Sequence, residues 1–99
     1  MSQFKDKILL ITGGTGSFGN AVLRRFLTTD IAEIRILSRD EKKQDDMRHT
    51  YQELYPQYAE KIKFYIGDVR DYRSIDPAFR GVDYVFHAAA LKQLSLIHI

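Results

Sequence analysis

Three glycines at a fixed interval carry the first chemical signal in this chain. The segment Thr12-Gly13-Gly14-Thr15-Gly16-Ser17-Phe18-Gly19 sets Gly13, Gly16 and Gly19 in the spacing G-x-x-G-x-x-G. A glycine at the first position lets the backbone turn where a side chain would clash. One at the second lets backbone N–H groups approach a diphosphate, and one at the third lets a following helix pack tightly on its strand. The start of that helix offers unpaired N–H groups and a partial positive charge to an anion. The hydroxyls of Thr15 and Ser17 add donors. The implied chemistry is a cradle for the pyrophosphate of a dinucleotide. A tight strand-to-helix turn without a ligand would carry similar glycines, but an apolar run before the loop and a helical pattern after it favour the cradle. The phosphate loop of nucleoside-triphosphate enzymes needs Lys-Ser or Lys-Thr after its last glycine. Here Asn20 and Ala21 follow Gly19, which argues against that reading.

The second signal is Ser38-Arg39-Asp40-Glu41-Lys42-Lys43-Gln44, directly after a second apolar run. In a dinucleotide fold, a carboxylate at this point bonds the adenosine ribose 2′-hydroxyl, whereas an arginine accepts a 2′-phosphate as a bidentate partner. Ser38 and Arg39 come first, with Lys42 and Lys43 one turn on, which favours NADP. Asp40 lies near the spacing of an NAD-type acid and keeps NAD open as the lesser alternative. Asp40 could equally cap a helix whose lysines form a solvated face, a role compatible with Arg39 binding a phosphate. Asp68-Val69 follows a third apolar run. The carboxylate could accept from an adenine amino group while the next N–H donates to the ring, or it could simply cap a turn. Ala88, Ala89 and Ala90 follow the fourth run; such small residues suit either a nearby ribose and nicotinamide or a tightly packed strand end.

These groups need elements to hold them. Residues 8–11 form a continuous apolar run, as in a parallel strand covered on both faces. Phe18, Ala21, Val22, Phe26 and Leu27 recur at helical spacing. Residues 34–37 read as a second strand. Residues 40–54 read as an exposed helix with Met47, Tyr51 and Leu54 as its narrow apolar stripe, stopped before Pro56. Residues 62–66 read as a third strand, 71–79 as a short helix with Pro77 late in it, and 82–87 as a fourth strand. The order βαβαβαβ predicts an α/β fold: the N-terminal part of a Rossmann doubly wound parallel sheet, strand order 3-2-1-4, truncated after the fourth strand. The expected division is an incomplete NAD(P)-binding domain over 1–93 and an atypical tail over 94–99. The fourth strand is expected to lie on an open edge.

The totals exclude several classes. Ninety-nine residues suffice for one small domain, and a net charge of +2 argues for neither nucleic acid nor a membrane surface. Cysteine is absent, which rules out disulfides and thiolate metal sites. No run approaches a membrane span, and the N-terminus lacks a signal-peptide pattern, so a cytoplasmic protein is expected.

Taken together, T-G-G-T-G-S-F-G, S-R-D-E-x-K-Q, G-D-V-R-D and H-A-A-A-L-K-Q resemble the extended short-chain dehydrogenase/reductases. More narrowly they resemble the inverting UDP-N-acetylglucosamine 4,6-dehydratases of bacterial surface polysaccharide synthesis, over residues 7–93. The resemblance implies that Thr15, Gly16, Ser17 and Phe18 contact the NADP phosphates. It implies that Arg39, Asp40, Glu41, Lys42, Lys43 and Gln44 surround the 2′-phosphate, that Asp68 and Val69 hold the adenine, and that Ala88 lies beside the ribose. Lys92 would reach both cofactor and sugar nucleotide; by itself it reads as an exposed lysine. The implied full-length enzyme is a homo-oligomeric lyase: it oxidises the sugar C4 by hydride transfer, eliminates water across C5–C6 and returns the hydride to C6. Two alternatives stand beside it, a sugar-nucleotide epimerase or reductase of the same superfamily and a non-catalytic NADP-binding regulator.

Such chemistry needs a tyrosine with a lysine four residues on. None of Tyr51, Tyr55, Tyr58, Tyr65, Tyr72 and Tyr84 has one, so this segment is expected to be an inactive fragment with no catalytic residue. His87 reads as a structural strand-end histidine. Residues 94–99 depart abruptly from the family pattern and resemble translated sequencing-adapter read-through.

Overall fold

The computed structural model describes residues 4–87 and the backbone of Leu96–His98. Ala88, Ala89 and Lys92, three of the expected cofactor contacts, lie outside the described residues.

The strands are β1 (Ile8–Thr12), β2 (Glu33–Ser38), β3 (Ile62–Ile66), β4 (Tyr84–His87) and β5 (Leu96–His98). The helices are α1 (Ser17–Leu27), α2 (Glu41–Leu54) and α3 (Tyr72–Phe79). A single 3₁₀ turn, Ala59–Lys61, precedes β3. The sheet order is β3-β2-β1-β4-β5. The first four strands pair in parallel, with Leu10 of β1 opposite Arg35 of β2 and Val85 of β4. This is the expected Rossmann-like order. The edge of β4 is not open, however: β5 pairs with it antiparallel, Phe86 opposite Leu96 and Tyr84 opposite His98. An unpaired strand edge offers its N–H and C=O groups to any extended segment, and three residues suffice here to take them.

The continuous apolar run of β1 now has its reason. Successive side chains of a strand point to opposite faces. Leu9 and Ile11 join Ile34, Ile36 and Ile62 on one face, under Val22, Leu23 and Leu27 of α1 and Met47 and Tyr51 of α2. Leu10 joins Leu37 and Val85 on the other, under Ile75 and Ala78 of α3. Both faces of β1 are therefore covered, and each fully buried leucine or isoleucine contributes about 1.5–3 kcal/mol.

Arg35 is the charged residue of this core. It is buried, with Nε donating to Glu33 at 2.5 Å and NH1 donating to the carbonyls of Ala78 at 2.9 Å and Arg80 at 2.6 Å. The guanidinium thus satisfies carbonyls at the end of α3 and ties that helix to β2. Pro77 lies inside α3 without breaking it, and Asp71 caps the helix by accepting from the Arg73 N–H at 3.1 Å. No helix among the described residues is long and apolar enough to cross a membrane.

Candidate functional site

The connection after β1 enters α1 on one face of the sheet, while β4, the neighbour of β1 on its other side, is reached through α3 on the opposite face. Chain direction therefore diverges at the carboxyl ends of β1 and β4, the crevice where doubly wound sheets bind ligands. The glycine loop lies there.

Gly13 has a φ of 66°, a left-handed conformation natural to glycine. Its N–H donates to the Leu37 carbonyl at 2.9 Å, which hangs the loop on the end of β2. Gly19 is required by close approach: a Cβ there would overlap the backbone of Gly14. The third glycine thus packs against the loop rather than against the strand, as the spacing had suggested. Gly14, which the spacing did not single out, is equally constrained, since its own Cβ would come within 2.7 Å of Ile36 Cγ2.

Gly16 behaves differently. Among the described residues, a Cβ at that position would meet only the Gly13 carbonyl, at an ordinary 3.7 Å. Packing among the described residues does not require a glycine there, whereas a diphosphate drawn close to the backbone would. Gly16 is also the N-cap of α1, no side chain caps that helix, and its first turn holds no acidic residue. The leading N–H groups of α1 therefore lack intrahelical partners and no carboxylate competes for them. Thr15 and Ser17 make no side-chain hydrogen bond among the described residues, and Phe18 stands 49% exposed beside them. The cradle fits a diphosphate.

The segment after β2 divides into two groups. Ser38 and Gln44 face inward. Gln44 is 2% exposed, and its amide donates to the Tyr65 carbonyl at 2.7 Å and to Ser38 Oγ at 3.3 Å. Together they staple α2 across the ends of β2 and β3, so both side chains are engaged within the fold. Asp40 caps α2, its Oδ1 accepting from the Lys43 N–H at 2.9 Å. Arg39, by contrast, is 70% exposed. Glu41, Lys42 and Lys43 are exposed as well, with Lys42 paired to Asp46 at 3.2 Å. The acid at the NAD-type position is thus occupied by its helix, and the arginine beside it projects into solvent.

Asp68 and Val69 follow β3, and the structure brings Asp68 to Arg39, with 3.6 Å between Oδ2 and NH1. A second arginine, Arg70, grips the same carboxylate: NH2 donates to Oδ2 at 2.8 Å and Nε to Oδ1 at 3.1 Å. These hydrogen bonds hold the Asp68 carboxyl well below the usual carboxylate range. Asp68 is therefore an ionised acceptor at neutral and mildly acidic pH. Arg70 was missed by the sequence reading; its place two residues after Asp68 was the available signal.

His87, at the end of β4, has Nδ1 2.5 Å from Oγ1 of the buried Thr12 at the end of β1. The pair ties the two strand ends together, in line with a structural histidine. Beside it a largely apolar groove of about 470 Å³ runs along α3, lined by Val69, Tyr72, Ile75, Phe79 and Val85 together with Thr12 and His87.

Comparison with known proteins adds three findings. The family described as "Polysaccharide biosynthesis protein" matches residues 9–99. Proteins named UDP-glucose 4-epimerase from Rickettsia akari and Rickettsia bellii are 67% and 68% identical over 96 residues, covering 93% of this chain. The chain spans only 26% of the length of those curated relatives. Among solved structures, Pen from Bacillus thuringiensis superposes with a TM-score of 0.79 at 36% identity, over 92% of this chain and 27% of that one. An L-sorbose reductase from Gluconobacter frateurii, solved with NADPH and L-sorbose, shares the fold, with a TM-score of 0.64 at 19% identity over 83% of this chain and 32% of that one.

Proposed function

The chain belongs to the polysaccharide biosynthesis protein family, and on that footing we propose that it forms the NADP-binding part of an enzyme that modifies a UDP-sugar by way of its C4 hydroxyl. The observation that carries the proposal is Gly16: a glycine that packing among the described residues does not require, at the uncapped N-terminus of a helix, where a diphosphate would lie against it.

Gly13, Gly16 and Gly19 shape the cradle, and the N–H groups of Ser17 and Phe18 with the hydroxyls of Thr15 and Ser17 donate to the diphosphate. Arg39 takes the adenosine 2′-phosphate, with Lys42 and Lys43 adding positive potential. The exposed Glu41 borders this pocket, while Ser38, Asp40 and Gln44 serve it by fixing the start of α2. Asp68 and Val69 receive the adenine edge. Ala88, Ala89 and Lys92 complete the proposed contacts toward ribose and sugar nucleotide. When bound, the nicotinamide supplies a reversible hydride acceptor for the sugar carbon; the residues of this segment bind and orient it. Cytoplasmic operation and assembly into homo-oligomers remain part of the proposal.

The names of the relatives support epimerisation at C4 better than dehydration. Dehydration is kept as the second reading because of the Ser38-Arg39-Asp40-Glu41 and Ala90-Leu91-Lys92 motifs. Both begin with oxidation at C4 and part afterwards, so the products distinguish them. A protein of the relatives' length carrying this segment should convert UDP-glucose to its C4 epimer at unchanged mass. Loss of one water from UDP-N-acetylglucosamine would instead select the dehydratase. Failure to turn over any UDP-sugar while still binding NADPH would overturn the enzyme reading in favour of a regulator.

A further inference from the structure

Asn20 and Tyr51 stand 31 residues apart, on α1 and α2, and neither belongs to the glycine spacing. In the structure they meet beneath the loop. The Asn20 side-chain amide donates from Nδ2 to the Gly16 carbonyl at 3.0 Å and to the Thr15 carbonyl at 3.4 Å. Its Oδ1 accepts from the Tyr51 hydroxyl at 3.1 Å. Tyr51 is 3% exposed and stacks on Tyr55, which fixes the direction of its ring. Burial pushes the phenol up from its ordinary value, against the opposing pull of Arg24, so the hydroxyl stays protonated and donates. A carboxamide whose oxygen is held by a donor must turn its NH2 the other way. The two loop carbonyls can only accept, so the NH2 of Asn20 faces them, and Tyr51 holds the other end of the amide in place.

The consequence reaches the cradle through the peptide plane. In a trans peptide the C=O of one residue and the N–H of the next point in opposite directions. The Gly16 carbonyl already accepts the first intrahelical bond, from the Asn20 N–H at 3.0 Å, and the Asn20 amide adds a second donor to it; held from both, it turns the Ser17 N–H outward, away from the body of α1. Holding the Thr15 carbonyl orients the Gly16 N–H in the same manner, and that group is only loosely engaged, by the Gly13 carbonyl at 3.3 Å.

We infer that Tyr51 and Asn20 form a positioning pair that sets the loop's N–H donors toward the diphosphate of the dinucleotide, so that α2 governs affinity at the pyrophosphate as well as at the adenosine end. The inference rests on the dinucleotide reading proposed above. It makes Tyr51 and Asn20 positioning residues, since neither touches the ligand.

The test compares three probes on the chain and its variants: NADPH, ADP, which carries a diphosphate without a 2′-phosphate, and 2′-AMP, which carries the reverse. Tyr51→Phe should weaken NADPH and ADP by about 3- to 10-fold, the range of one hydrogen bond, and leave 2′-AMP unchanged. Asn20→Ala should weaken the same two probes at least as much, and the double variant should bind no more weakly than Asn20→Ala alone. Equal binding of NADPH and ADP by Tyr51→Phe and the unaltered chain would overturn the inference, as would a parallel loss of 2′-AMP, the mark of general loosening. If Tyr51→Phe does not fold, Asn20→Ala, at a half-buried position, carries the same comparison. Should the unaltered chain bind none of the three probes, the dinucleotide reading itself falls, a result distinct from either of the others.

Discussion

Replacing Arg39 with alanine is expected to weaken NADPH binding by about 10- to 100-fold, the range of one charge-assisted contact to a phosphate, with NADH binding almost unchanged. The asymmetry follows from where the charges sit. Arg39 is exposed at the end of β2 and its contact with Asp68 is long, so its guanidinium is available to a 2′-phosphate. Asp40, the residue that would favour NADH, already accepts a hydrogen bond from the start of α2. Removing Arg39 does not strip Asp68 of its partner, because Arg70 holds the same carboxylate at shorter distances. The adenine end should therefore survive the substitution. Parallel titrations of NADPH and NADH with the Arg39→Ala chain check this, and equal losses of both cofactors would contradict the assignment of Arg39 to the 2′-phosphate.

The second large effect is on stability. Gly19→Ala adds one methyl group, and that group would overlap the Gly14 backbone. A flexible side chain could move aside; a backbone cannot without moving the loop. Gly14 has no room to retreat, since its own missing Cβ faces Ile36. Overpacking of this kind costs about 1–3 kcal/mol or more. For a domain of this size such a loss lowers the melting temperature by about 4–24 °C. Gly16→Ala is the informative companion: its added methyl meets nothing closer than 3.7 Å. Its melting temperature should stay near that of the unaltered chain while dinucleotide affinity falls. Thermal denaturation of both variants checks the pair; a Gly16→Ala chain as unstable as Gly19→Ala would mean that the fold, and not a ligand, requires both glycines.

Much of this architecture was legible in the residues, for reasons that can be named. The run Ile8-Leu9-Leu10-Ile11 read as a doubly covered strand because both faces of β1 are covered. Asp40 stood open between a ribose-binding acid and a helix cap, since both need a carboxylate at that point, and in the structure it caps. The positions of Gly13 and Gly19 depend on local backbone geometry, which spacing reports well. Other features depend on meetings in space that no spacing records. Gln44 looked like one more polar residue near a phosphate, yet it is buried as a staple between β2 and β3, because Tyr65 and Ser38 come together only when the sheet forms. The contact of Tyr51 with Asn20 needs α1 and α2 side by side. The pairing of β5 with β4 is made by backbone hydrogen bonds, to which side-chain pattern gives little guide.

The central claim is that the loop at the end of β1 holds a dinucleotide diphosphate. Its most direct test is a titration of NADP into the isotope-labelled chain, followed through the backbone amide resonances. The account predicts that the largest saturable shifts fall on the amides of Thr15, Gly16, Ser17 and Phe18, with a second group at Arg39 and its neighbours. Shifts concentrated elsewhere on the sheet, with the Thr15–Phe18 amides unmoved, would contradict it.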